Sequence, residues 1–292
     1  MEQVTEIAYA LDTFYFLISG VLVMWMAAGF TMLESGLVRA RNTTEILTKN
    51  VALYSIASLM YLFFGYQLMY GGEAVSSVIP SLGFGLSPEN TASDIEGGAY
   101  YSSGSDFFFQ VVFVATAMSI ISGAVAERMK LWTFLIFAVV LTGVIYPVQG
   151  FWTWNGAGWL AEMGYSDYAG SGIVHMAGAA AALAAVLVLG PRKGKYTSDG
   201  RVRAIPGANL PLATLGTFVL WMGWFGFNGG SELQVSTVGN ANAVALVFIN
   251  TNTAAAAGLV ASMILSRAMF GKTDLTMVLN GALAGLVSIT AG

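Results

Sequence analysis

Apolar residues run along this chain in blocks of about 20, and about 20 apolar residues is what an α-helix needs to cross the hydrocarbon core of a bilayer. Seven complete blocks stand out at 11–33, 50–70, 107–125, 131–150, 173–190, 210–227 and 243–266, and an eighth begins near Leu275 and reaches the last residue. The pattern predicts an all-α fold, a polytopic membrane helix bundle. At about 1.5 Å per residue the eighth block rises only about 25 Å, against a core of about 30 Å. No polar flank follows Thr290-Ala291-Gly292, so the sequence is expected to be part of a longer protein, interrupted in this helix.

The connections test that count with residues that played no part in it. Arg39, Arg41 and Lys49 follow the first block, whereas the second is followed by Glu73, Glu89, Asp94, Glu96 and Asp106 with no basic residue. Arg128 and Lys130 follow the third, and only Glu162 and Asp167 follow the fourth. Arg192, Lys193, Lys195, Arg201 and Arg203 come after the fifth, Glu232 alone after the sixth, and Arg267 and Lys272 after the seventh. One missed or invented span would scramble this alternation. Because lysine and arginine collect on the cytoplasmic side, the N-terminus is expected to be extracytoplasmic in a multi-pass protein of the cell membrane. No basic stretch precedes the first block, so it reads as an anchor rather than a cleaved signal peptide.

Composition agrees with the pattern. Hydrophobic residues make up 56% and charged residues 10%, where soluble domains carry about 25% charged residues, and the mean hydropathy is +0.70. The absence of cysteine excludes disulfides, thiolate chemistry and cysteine metal sites. No linker, low-complexity tract or like-charge block divides the chain, so residues 1–292 read as one membrane domain. No cofactor or metal is expected, and no motif supports a nucleic-acid partner. An intramembrane enzyme is disfavoured by a single histidine and by the lack of paired carboxylates suited to acid-base work.

Four motifs occur in order: Gly29-Phe30-Thr31-Met32-Leu33-Glu34-Ser35-Gly36-Leu37-Val38-Arg39, Gly123-Ala124-Val125-Ala126-Glu127-Arg128, Asp167-Tyr168-Ala169-Gly170-Ser171-Gly172-Ile173-Val174-His175, and Gly223-Trp224-Phe225-Gly226-Phe227-Asn228-Gly229-Gly230-Ser231. In these the chain resembles the ammonium transporter family, related to methylammonium permeases and Rhesus glycoproteins. The resemblance implies an 11-helix pore built from two inverted five-helix repeats, of which the chain covers about the first eight helices. It also implies a homotrimer with one pore per subunit, ammonium or ammonia as substrate with methylammonium as an analogue, and a PII-type cytoplasmic regulator as a partner. The sensor or transceptor, in which the same fold is joined to a signalling module beyond residue 292, is the alternative that the resemblance leaves open.

The chemistry of such a pore divides between a mouth that attracts a hydrated cation and a dry middle where an unpaired charge costs several kcal/mol. His175, the lone histidine, falls inside the fifth block. Read alone it is either a packing histidine or a functional intramembrane group; the resemblance makes it one of two pore histidines, with its partner on a later helix. A neutral imidazole offers ammonia an N–H or a ring nitrogen and can relay a proton. Asp167 reads as an N-cap of the fifth helix, and by resemblance as a buried carboxylate near a cation recruitment site. Trp154, Phe113 and Ser231 match that site, where aromatic faces and a hydroxyl surround the cation. The spacing from Trp154 to Asp167 is one residue longer than the commonest family pattern, so Trp152 stays open as the alternative, and an interfacial aromatic belt would account for both. Phe113 and Phe227 match a stacked phenyl gate beneath the site.

Lesser expectations complete the reading. Asn228-Gly229-Gly230-Ser231 is expected to break the sixth helix and open a vestibule. The alanines of 177–185 are expected to pack closely against a neighbour, and Tyr146-Pro147 to kink the fourth helix. Glu34, Glu45 and Glu127, beside basic residues, read as solvated or capping charges.

Overall fold

The computed structural model describes residues 2–291. Among these, seven helices are long and apolar enough to cross a membrane. They are α1 (Gln3–Leu37), α2 (Ala40–Tyr70), α3 (Ser103–Val125), α4 (Leu131–Glu162), α5 (Ser171–Leu189), α6 (Leu210–Gly230) and α7 (Val238–Phe270). A shorter apolar helix, α8 (Leu275–Ile289), follows; Gly292, where the eighth block was expected to end, lies outside the described residues. The spans agree with the hydrophobic blocks, except that α1 and α7 extend well past the apolar core of their blocks. Helix starts carry the side chains that satisfy free first-turn amides. Ser102 accepts from the Ser105 amide at 3.2 Å, Asn209 from Leu212 at 3.0 Å, and Thr237 from Asn240 at 3.1 Å.

α1 shows how the faces are set. Phe16, Ser19, Val23 and Met26 are buried, while Phe14, Leu17, Ile18, Val21 and Trp25 are exposed. Both sets recur at three- and four-residue steps, the period of one helix face. The exposed set is as apolar as the buried one, which suits lipid rather than water. α1 packs antiparallel along α6, with Ser19 and Leu22 meeting Gly226, and Gly36 meeting Ala213 and Asn209. Gly216 permits this approach, because a Cβ there would come within 2.4 Å of the Leu33 amide nitrogen. Such antiparallel pairing of the first and sixth helices is what inverted five-helix repeats require. α3 is the central element: 78% of its apolar window is buried, against 11% for α7.

Irregular turns mark three helices. π-helical turns occupy Tyr61–Gly65 in α2, Leu141–Ile145 in α4 and Ser171–Met176 at the start of α5. The irregularity expected at Tyr146-Pro147 thus takes the form of a π turn just before the proline, whose missing N–H removes a regular helical bond. Two local expectations are corrected. Asn228-Gly229-Gly230 does not break α6, which stays helical through Gly230; the glycines instead admit rings, since a Cβ on Gly229 would lie 2.4 Å from the Phe248 ring and one on Gly230 would lie 2.5 Å from that of Phe109. The alanine-rich part of α5 buries only a narrow seam, Gly178 and Ala182.

The loops gather at two ends. At one, Arg39 reaches Glu127 at 3.0 Å, Arg192 approaches Glu127 at 3.7 Å, and Arg128 donates to the Gly190 carbonyl at 2.9 Å. This basic face joins the loops after α1, α3 and α5. At the other, acidic face, Asp12 accepts from the amides of Val235 and Ser236 at 2.7 and 2.9 Å, and Tyr168 donates to Glu232 at 3.1 Å.

The reading of Glu34 and Glu127 as solvated charges is overturned, whereas Glu45 is exposed. The Glu127 side chain is 1% exposed, and its Oε1 accepts from the Arg39 amide and guanidinium, both at 3.0 Å, and from Asn42. Burial works against its charge, yet the hydrogen bonds from Arg39 and Asn42 hold the carboxyl below the usual glutamate range. A depressed folded-state pKa of this kind adds stability at neutral pH that is lost as the pH falls through it. Glu34 is 6% exposed and forms an ion pair with Lys49 at 3.3 Å.

Candidate functional site

Two cavities lie inside the bundle, one toward each loop face. The acidic-face cavity, about 470 Å³, is lined by Trp154, Ser231, Phe113, Asp106, Gln110 and a group of tyrosines. The basic-face cavity, about 440 Å³, is lined by His175, Trp224, Glu34, Asn280 and aliphatic side chains. Phe113 and Phe227 lie between them, both fully buried, their rings stacked with centroids 4.0 Å apart. Phe113 lines the acidic-face cavity, and Phe227 touches His175 with centroids 5.4 Å apart.

α6 supplies one wall by simple periodicity. Trp224, Phe227 and Ser231 are separated by three and four residues, so they fall on one helix face. Trp224 stacks on His175 with centroids 5.1 Å apart and 23° between planes. The sequence reading did not single out Trp224 as a site residue, although the same spacing would have found it. The Ser231 hydroxyl is engaged with its own helix, donating to the Phe227 carbonyl at 2.8 Å, so toward the cavity that Ser231 lines it can act only as an acceptor.

The opposite wall depends on the start of α5. Gly170 adopts φ 109°, in the region that favours glycine. Its carbonyl accepts from the Val174 and His175 amides, each at 3.0 Å, and the second of these is the i to i+5 bond of a π turn. Asp167 fixes the turn: Oδ1 accepts from Gly170 and Ser171 at 3.1 and 3.0 Å, and Oδ2 from Gly172 and Ile173 at 2.9 and 2.8 Å. Four amides on one buried carboxylate leave it no reach toward a cation. Asp167 instead holds Trp154, whose indole N–H donates to the Asp167 carbonyl at 2.8 Å. Trp154 meets Phe113 edge-on with centroids 6.2 Å apart. Trp152 points elsewhere, donating to the Val78 carbonyl at 2.8 Å and packing on Trp159. Between the two tryptophans, the geometry brings Trp154 to Phe113, Asp167 and Ser231.

His175 is 7% exposed. Its Nδ1 lies 3.1 Å from the Gly170 carbonyl, an acceptor, so Nδ1 carries the proton and Nε2 of the neutral ring carries a lone pair. Nε2 is buried and has no hydrogen-bond partner among the described residues. The ring therefore presents a free acceptor in an otherwise apolar stretch beside the phenyl stack.

Missed in the sequence was the link among α1, α2 and α3 at the basic-face cavity. Lys49 Nζ donates to the Ser122 carbonyl at 2.8 Å, the Ser122 hydroxyl donates to Glu34 Oε2 at 2.8 Å, and Lys49 lies 5.1 Å from the Phe134 ring centre. A lysine at the edge of the second apolar block was the available signal for a buried counter-charge.

Fold and cavities together define a multi-pass helical membrane protein with two internal cavities and a stacked pair of phenylalanine rings between them. The chain belongs to the Ammonium Transporter Family, whose sequence profile matches residues 14–292. It is 45% identical over 291 residues to the ammonium transporter Amt2 of Archaeoglobus fulgidus, covering 96% of this chain and 59% of that protein. The chain thus spans about three fifths of that relative's length. Among solved structures, one titled Sensor Amt Protein superposes with a TM-score of 0.89 at 36% identity, over 98% of this chain and 69% of that one. Candida albicans Mep2 superposes with a TM-score of 0.84 at 30% identity, over 97% of this chain and 61% of that one.

Proposed function

We propose that this protein carries ammonium across a cell membrane, attracting the cation at Trp154, Phe113 and Ser231 and passing ammonia between Phe113 and Phe227 to His175. The observation that carries the reading is the phenyl stack at 4.0 Å with the free His175 Nε2 directly behind it. A hydrated cation entering that partition would shed its water and meet no counter-charge, at a cost of several kcal/mol. Ammonia escapes most of this cost. The indole and phenyl faces favour a cation in the acidic-face cavity by up to about 2 kcal/mol; there ammonium gives one proton to water on the acidic side and becomes ammonia, and the Nε2 lone pair accepts an N–H from ammonia beyond the gate. Asp167 acts through position, by holding the π turn under His175 and the indole of Trp154.

The family resemblance supports three further elements: a homotrimer with a pore in each subunit, methylammonium as an alternative substrate, and a PII-type regulator at the basic face. The one-sided lysines and arginines support an extracytoplasmic acidic face and N-terminus. Single cysteines in this cysteine-free chain test the orientation. Glu96→Cys should react with an impermeant thiol reagent from outside intact cells, and Ser198→Cys only after lysis. Equal labelling of both from one side would refute it.

The recruitment role is tested at Trp154. In the full-length protein, Trp154→Leu is expected to raise the half-saturating ammonium concentration about tenfold, the scale of a lost desolvated cation–π contact. Trp152→Leu should change it little. The reverse pattern in uptake assays would transfer the role to Trp152.

Ammonium sensing is a second reading, favoured by the likeness to the protein titled Sensor Amt Protein. It predicts saturable ammonium binding without accumulation inside vesicles, whereas the transport reading predicts both.

A further inference from the structure

The acidic-face cavity contains a charged group that the recruitment site does not use. Asp106, Gln110 and Phe113 follow at steps of four and three residues along α3, so they share the face that lines the cavity. Asp106 is 9% exposed. Its Oδ2 accepts the Tyr66 hydroxyl at 2.7 Å. Capping does not account for it, because Ser102 already serves the first turn of α3: its Oγ accepts from the Ser105 amide and its carbonyl from the Asp106 amide. No lysine, arginine or histidine lines the cavity, and no ion pair among the described residues includes Asp106. Beside it Gln110 is 8% exposed, with an Oε1 that accepts no hydrogen bond. The rings of Tyr66, Tyr70 and Tyr101 complete the wall.

A carboxylate this buried is costly without a cation. The helix N-terminus, the Tyr66 hydroxyl and the neighbouring Gln110 side chain offset part of that cost, and the remaining field points into a cavity rimmed by tyrosine faces. We propose that Asp106, Gln110 and the surrounding tyrosines form a second cation subsite, which takes ammonium before it reaches Trp154 and Ser231. The proposal rests on the transport reading above and deepens it. Ammonium fits because its N–H groups can be shared between Asp106 and the idle Gln110 oxygen while its charge rests against the rings.

In the full-length protein, checked for membrane level, Asp106→Asn is expected to raise the half-saturating ammonium concentration about tenfold in uptake assays, and Asp106→Glu to recover most of the loss. Unchanged half-saturation in Asp106→Asn overturns the subsite while leaving the transport reading intact. A wild-type protein that moves no ammonium overturns the transport reading instead. Crystals soaked in caesium chloride provide a readout independent of transport, and decide the matter if Asp106→Asn does not reach the membrane. An anomalous peak between Asp106 and Gln110, in addition to any at Trp154, supports the subsite, and its absence overturns it.

Discussion

His175→Leu in the full-length protein is expected to lower ammonium uptake about a hundredfold or more, with normal assembly and membrane level. Leucine fills a similar volume against Trp224 and Phe227, so the packing that the imidazole provides is largely retained. What disappears is the one free acceptor beside the phenyl stack, Nε2. Ammonia leaving the acidic-face cavity would then face an unbroken apolar stretch, and a lost hydrogen bond to a polar species in such a place costs about 3 kcal/mol in the barrier. His175→Asp should behave differently. A carboxylate restores polarity and stabilises a cation in the dry segment, so this variant is expected to conduct while discriminating less against potassium. Uptake of radiolabelled methylammonium, with potassium as competitor, separates the outcomes. A well-inserted His175→Leu protein with wild-type uptake would mean that His175 is a packing residue.

The second large effect is on stability. Lys49→Met is expected to destabilise the protein by about 3–5 kcal/mol, because Glu34 would stay buried without its partner. The damage would spread, since Lys49 also holds the Ser122 carbonyl and lies against Phe134, tying α2 to α3 and α4. Neutralising both ends should restore most of the loss: Glu34→Leu combined with Lys49→Met replaces a desolvated ion pair by apolar packing, which is often neutral or favourable. Thermal unfolding of the purified protein in detergent distinguishes these cases. Equal stability of Lys49→Met and wild type would show that the pair carries no net weight.

The spans and the two loop faces were legible in the sequence because the membrane leaves few choices. Apolar length fixes the helices, and the segregation of lysine and arginine fixes which ends lie together. Phe227 and Ser231 were accessible through motif order, and Phe113 through the family resemblance alone. Other features depended on three-dimensional partners far away in sequence. Glu34 and Glu127 read as solvated charges because Lys49, Arg39, Asn42 and Arg192 come together with them only on folding. The glycines after Asn228 read as a helix break because composition does not distinguish a residue that frees the backbone from one that admits a ring. Trp152 and Trp154 differ by two positions, which in a helix is a large rotation, and only the bond to Asp167 decides which indole turns inward.

Asp167 carries the same lesson in a different form. The sequence read it as the N-cap of the fifth helix and, by resemblance, as a buried carboxylate; the N-cap position is Gly170, and Asp167, three residues earlier, is a structural clamp that accepts four amides. The buried carboxylate that lines the acidic-face cavity outside any ion pair among the described residues is Asp106, which the sequence had grouped with the loop acids.

The central claim is that ammonium is taken up on the acidic side and passes the Phe113 and Phe227 stack as ammonia. Its most direct test is the full-length protein reconstituted into liposomes on a solid-supported membrane and pulsed with ammonium chloride, alongside uptake of radiolabelled methylammonium into the same vesicles. Saturable uptake that ammonium competes away, potassium does not, and His175→Leu abolishes is the predicted result. Vesicles that bind ammonium but never accumulate the labelled substrate would contradict it.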